Sequence, residues 1–287
     1  MDARMPGTRS PVVAGAFYEA DPDALRRQIE RCFLRAPGPG RLPQVDPGGP
    51  RALLGLVAPH AGYVYSGYAA AHAYLRLAAD GPVDLAVLLA PNHHGMGADD
   101  AVWTEGSWET PLGRVTVAAD VARAILDAAP DAREDALAHL HDHAIEVQLP
   151  FLQYLYGEAL SIVPIAMKRY ELEASVALGE AIAAAAAGRS AVVIASSDFS
   201  HYETAERARR QDESALEAIE ALDPGELFRR VLGLGITTCG CGPVAAMLAA
   251  ARRLGATAGQ TLAYTTSGDI TGDLSQVVGY AAVAVTR

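Results

Sequence analysis

Residues Leu53 to Gly67 read Leu-Leu-Gly-Leu-Val-Ala-Pro-His-Ala-Gly-Tyr-Val-Tyr-Ser-Gly. The first six, Leu53 to Ala58, are small or apolar without alternation, the pattern of a strand buried on both faces. Pro59 ends the ladder by removing an amide donor, and Gly62 and Gly67 loosen the chain around the turn that follows. His60 therefore stands just past the carboxyl end of a buried strand, the edge at which open α/β sheets bind ligands. The layout recurs twice. Leu85 to Ala90 runs into Pro91-Asn-His-His94, and Ala191 to Ala195 runs into Ser196-Ser-Asp-Phe-Ser-His-Tyr202. Three loops of this kind, each carrying histidine, point to one shared site.

The rest of the chain fits that frame. At 287 residues and 51% hydrophobic, it can bury a core and is too apolar to be disordered. A formal net charge of −11, spread along the chain, argues against nucleic acid or an anionic membrane as partner. Met1 to Ser10 lacks the apolar core of a secretory signal, and no run approaches the roughly 20 residues that span a bilayer. Three cysteines, Cys32, Cys239 and Cys241, make no disulfide framework and suit a reduced cytoplasmic protein.

Asp21-Pro22 caps a helix that buries Leu25, Ile29, Cys32 and Phe33, and Ala36 to Pro50, rich in proline and glycine, reads as a flexible loop. Tyr68 to Ala79 reads as the helix returning to the next strand. Trp108 to Gly113 reads as a turn between short strands. His139, His141 and His143 alternate, as on one face of an extended segment, with a helix from about His143 that carries Glu146. Thr237 to Pro243 is a glycine-rich turn feeding a helix. Roughly eight strands interleaved with as many helices predict a single three-layer α/β domain.

His60, His93, His94, Asp198, His201 and Cys239 all fall in loops or turns. Imidazoles with a thiolate or a carboxylate make a transition-metal site. A His/His/Cys set suits copper or zinc, and two histidines with a carboxylate suit Fe(II). His94 is the weaker of its pair, because adjacent side chains point opposite ways. His143 and Glu146 are candidates to orient a ligand, with Tyr63 as a further pocket residue. Ser196, Ser197 and Ser200 lack a Gly-x-Ser-x-Gly elbow, and no phosphate-binding glycine loop is present. On these residues alone the reading is a transition-metal site, against the plainer one in which each histidine is a hydrogen-bonded structural residue.

Eight motifs in order resemble the Memo family, known in prokaryotes as AmmeMemoRadiSam system protein B. They are Pro11-x-x-Ala-Gly-x-Phe-Tyr18, Ala58-Pro-His-Ala-Gly-Tyr-x-Tyr-Ser-Gly67, Pro91-Asn-His-His94 and Trp108-x-Thr-Pro-Leu-Gly113. Then follow His143-x-x-Glu-Val-Gln-Leu-Pro-Phe-Leu152, Ser196-Ser-Asp-Phe-Ser-His-Tyr202, Cys239-Gly-x-x-Pro243 and Ser267-Gly-Asp-x-Thr-Gly-Asp273. The resemblance implies one Memo-like domain over residues 1–287, with the α/β/α fold and central mixed sheet of class III extradiol dioxygenases of the LigB type. It implies His60, His93 and Cys239 as metal ligands, Cys239 standing where the dioxygenases hold a carboxylate, with Asp198 and His201 bordering the pocket and His201 at the place of the dioxygenases' catalytic base. Two classes of function follow from it: a metal-dependent redox enzyme, with His201 as general base and Asp198 orienting it or supplying a further ligand, and a non-catalytic protein that holds metal or a peptide in the same pocket. Copper or iron, with zinc as a further option, would be the cofactor, and a small molecule or peptide the pocket's ligand. Association with AMMECR1-type and radical SAM proteins is a further implication. Glu19, Ala90 and Cys241 depart from the family pattern, and Cys241 adds a second thiol beside the expected one.

Overall fold

The structure is a computed structural model that describes residues 7–168 and 171–287. Residues 1–6 of the leading stretch, in which no signal was read, lie outside it. The chain begins with β1 (Thr8–Arg9), α1 (Pro22–Leu34), β2 (Leu53–Ala58), α2 (Tyr63–Asp80) and β3 (Leu85–Pro91). Next come β4 (Asp100–Val102), β5 (Ser107–Thr110), β6 (Gly113–Val117), α3 (Ala119–Ala128) and β7 (Ala132–Glu134). Two short 3-10 turns lead to α4 (Leu149–Tyr156), β8 (Ser161–Met167), α5 (Leu172–Ala185) and β9 (Ala191–Ser196). The remainder is β10 (His201–Glu203), α6 (Ala205–Glu220), α7 (Pro224–Leu234), α8 (Cys241–Arg253), β11 (Ala258–Thr266), α9 (Gly268–Thr271) and β12 (Val277–Thr286).

The strands form one mixed sheet with the order β1-β5-β6-β8-β3-β9-β2-β12-β10, β11 pairing with β12 and β4 with β8 and β7. Its centre, β8-β3-β9-β2, is parallel, and β12 runs antiparallel to β2. The centre is apolar for the reason expected of a strand covered on both faces. Along β3, Leu85, Val87 and Leu89 enter the core cluster built with α3, α5, α6, α7 and α8, whereas Ala86, Leu88 and Ala90 enter the one built with α1, α2 and α4. Helices therefore cover both sides, and the mixed α/β architecture agrees with the reading of the sequence. Among the described residues no helix is long and apolar enough to cross a membrane.

Several local expectations need correction. There are twelve strands among the described residues, not about eight, because short edge pairs such as β4 with β7 carry too little periodicity to be seen. Trp108 lies within β5, paired to Val115 in a hairpin, and the turn is shorter than read. Helix α2 begins at Tyr63, so Gly67 sits inside it. A Cβ there would stand 2.6 Å from Cys32 Sγ, and glycine is what lets α1 and α2 approach. The alternation at His139 to His143 is not an extended face: His139 is buried in a 3-10 turn, with its Nε2 3.1 Å from the Ala101 carbonyl, and His141 is exposed. Residues 36–50 form no helix or strand, yet the Asp46 amide donates to Ala78 O at 2.9 Å and His72 Nε2 donates to Pro37 O at 3.0 Å.

Candidate metal centre

The order β3-β9-β2 sets three carboxyl ends side by side, and with them the loops of His93, Asp198 and His60. The Ser197 amide donates to Ala58 O at 3.0 Å, and the His60 amide donates to Asp198 Oδ1 at 2.8 Å, so the β2 and β9 loops are stitched together. A fourth segment, the turn before α8, brings Cys239 against them. Gly240 makes that approach feasible: a Cβ there would lie 2.3 Å from Ser197 Cβ and 3.0 Å from Ser196 O.

One ring nitrogen each from His60 and His93 and the Cys239 sulfur lie within 4.8 Å of one another. His60 Nε2 and Cys239 Sγ are 3.3 Å apart, close to the separation of two ligands on one tetrahedral ion with bonds of about 2.1 and 2.3 Å. His93 offers the site its Nε2, because Nδ1 is 3.2 Å from Asp142 Oδ2. The same carboxylate accepts the His93 amide at 2.6 Å and the Ala144 amide at 2.9 Å, so it fixes both ring and backbone. Burial alone would raise the Asp142 carboxyl, but the His93 ring and these amides hold it well below the usual carboxylate range. Two imidazoles and a sulfur at this spacing, from separate loops and oriented from behind, fit a transition-metal ion.

His143 completes a triangle of rings, with centroids 4.8 Å from His93 in a stacked pair and 5.5 Å from His60, and Phe17 packs against it, tilted, at 4.7 Å. Burial lowers His143 to about 4 and carries His60 well below its ordinary value, so both rings are neutral donors at pH 7. Burial first, then the neighbouring Asp198 charge, pushes the Cys239 thiol up. Burial raises Asp198 to about 6. His201 Nδ1 lies 2.8 Å from Thr237 O; a carbonyl only accepts, so Nδ1 carries a proton and the neutral form of the ring has its acceptor at Nε2.

The remaining predicted residues fall elsewhere. His94 is exposed, 6.3 Å from the His141 ring. Tyr63 is a core residue rather than a pocket wall: it packs against Tyr18 and Phe151, and its hydroxyl donates to Val147 O at 2.7 Å. The carboxylate of Glu146 turns to the leading segment, accepting from Arg9 at 2.6 Å, the Val12 and Val13 amides, and the Tyr18 hydroxyl at 2.7 Å. That segment carries Phe17, which packs on His143, and the Glu146 charge also acts on the His143 ring. Cys241 is buried at the start of α8 among core residues. Asp142, Gln148 and Ser196 were missed as partners of the candidate ligands; the aspartate between two histidines was the one visible signal.

The loop of Asp198 and His201 is anchored by Asp212 of α6, fully buried, which accepts from the Ser200 amide at 3.0 Å, the Ser200 hydroxyl at 2.6 Å and the Tyr264 hydroxyl at 2.8 Å. Burial raises its carboxyl from 3.8 to about 6 despite these donors. A folded-state pKa above the unfolded one gives stability that is complete below about pH 4 and lost as pH rises through about 6. Asp212→Asn keeps an acceptor for Ser200 and cannot ionise. Its stability relative to the parent should therefore rise with pH, by up to about 3 kcal/mol between pH 4 and 8. Urea melts across that range test this; a pH-independent gap would refute it.

The family profile described as Memo-like protein matches residues 9–284. A MEMO1 family protein of Methanopyrus kandleri is 47% identical over 281 residues, covering 97% of this chain and 99% of that protein. Another, from Methanothermobacter thermautotrophicus, is 47% identical over 275 residues, covering 95% of this chain and 98% of its own. The crystal structure of an uncharacterized protein from Escherichia coli K12 matches with a TM-score of 0.55 at 14% identity, over 81% of this chain and 99% of that one, a likeness of fold. With its histidines and cysteine gathered at one sheet edge, the chain belongs to the Memo family.

Proposed function

We propose that this protein is a metal-dependent redox enzyme in which His60, His93 and Cys239 hold one ion of iron or copper. The observation that carries the reading is the convergence of these three donors within 4.8 Å. The ion would supply one-electron and dioxygen chemistry. A small molecule would enter past His93 and His143, the more open side of the cluster. His201 would accept a proton at Nε2, and Asp198, with its carboxyl near 6, would hold or release one beside it. The free thiols Cys32, Cys239 and Cys241 suit the reducing cytoplasm, where we place the protein.

The second reading, metal or peptide binding without turnover, draws support from the thiolate itself, since ring-cleaving Fe(II) sites use a harder carboxylate. Elemental analysis after anaerobic purification, followed by reconstitution with Fe(II), copper or zinc, tests both. Stoichiometric iron or copper and dioxygen uptake by the loaded protein support the enzyme. A loaded protein that consumes no dioxygen and does not cycle its metal leaves the binding role. Failure to take up any of the three ions defeats both metal readings.

A further inference from the structure

We propose that Ser196 locks the tautomer of His60, so that Nε2, facing Cys239, is the nitrogen left with a lone pair. The proposal rests on the reading of His60 as a metal ligand for its consequence, though not for its geometry. Ser196 Oγ has three buried neighbours: Ala144 O at 2.7 Å, Gln148 Nε2 at 2.8 Å and His60 Nδ1 at 2.9 Å. A hydroxyl has one hydrogen to give and two lone pairs with which to accept. Ala144 O can only accept, so it takes the hydrogen.

The orientation of the Gln148 amide is settled by its other contacts. Its nitrogen is 3.0 Å from Pro59 O, another pure acceptor, and its oxygen receives the Tyr74 hydroxyl at 2.7 Å. A flipped amide would set two oxygens against each other at Pro59. Gln148 therefore donates to Ser196 and fills its first lone pair. One lone pair remains, and it faces His60 Nδ1, which must then carry the proton. The alternative tautomer would place a bare nitrogen against a bare oxygen lone pair, with Ser196 only 1% and His60 only 2% exposed.

The device thus runs from Tyr74 through Gln148 to Ser196 and His60, and Gln148 holds the loop backbone at Pro59 as well. Ser196 and Gln148 are positioning residues: neither offers an atom to the ligand cluster. They also differ in kind from Asp142, so the two imidazoles are held by unlike acceptors, a neutral hydroxyl for His60 and a carboxylate for His93.

The test is long-range 1H–15N correlation on metal-free protein labelled with 15N-histidine, at neutral pH. His60 should show a pyrrole-type Nδ1 and a pyridine-type Nε2. Ser196→Ala should mix or reverse that pattern, and Ser196→Thr, which keeps the hydroxyl, should restore it. Zinc titration should show Ser196→Ala binding about 10- to 100-fold more weakly. A pyridine-type Nδ1 in the parent protein would overturn the proposal even if no variant folds, as would an unchanged tautomer in a folded Ser196→Ala. If the parent shows the expected tautomer but binds no metal, the functional reading fails and the lock stands.

Discussion

Cys239→Ser should lower zinc affinity by at least about 10- to 100-fold, the loss expected on disturbing the shell behind a metal, because on the proposed assignment the ligand atom itself is exchanged for a harder, more weakly binding oxygen. Cys241→Ser, two residues on, leaves affinity unchanged. Its thiol packs in the core at the first turn of α8, so the substitution instead lowers stability by about 1–3 kcal/mol, the cost of burying a hydroxyl where a small apolar group sat. Since the Cys239 thiol is raised by burial and must lose its proton to bind, affinity in the parent also falls towards acid. Equal losses of affinity in the two variants, or none in either, would exclude Cys239 as a ligand.

Glu146→Ala produces the largest loss of stability, about 3–5 kcal/mol out of the 5–15 kcal/mol typical of a folded domain. Glu146 is fully buried, and Arg9, its partner at 2.6 Å, is equally enclosed, with its guanidinium 4.2 Å over the Trp108 ring. Removing the carboxylate leaves a charge without compensation and strips partners from the Val12 and Val13 amides and the Tyr18 hydroxyl. The double variant Arg9→Met/Glu146→Ala should lose less than the sum of the single losses, since no buried charge is then stranded. Urea denaturation measures all three proteins. A loss below about 1 kcal/mol for Glu146→Ala would mean that the leading segment is held by other contacts.

Much of this architecture was legible in one dimension. An unbroken apolar run such as Leu85 to Ala90 has no face that tolerates water, so it specifies a strand covered on both sides, and a proline or polar residue after it marks the functional edge. Three runs of that kind located the loops of His60, His93 and Asp198 without reference to any contact. What the chain could not disclose by itself was which loop would neighbour which. The strand order β3-β9-β2 inserts a late strand between two early ones, and only that order sets His60 beside Ser196 and His93 across from Cys239. Partnerships across long separations were hidden for the same reason: His93 with Asp142, Arg9 with Glu146, Ser196 with His60. Glu146 shows the limit most clearly. Its helical spacing from His143 placed it near the site, but the carboxylate turned away because the buried guanidinium of Arg9 was on the other side, and charge pairing in a dry interior outweighs local spacing. Residue type and periodicity determine what each segment must bury; the closed tertiary structure alone decides which donor finds which acceptor.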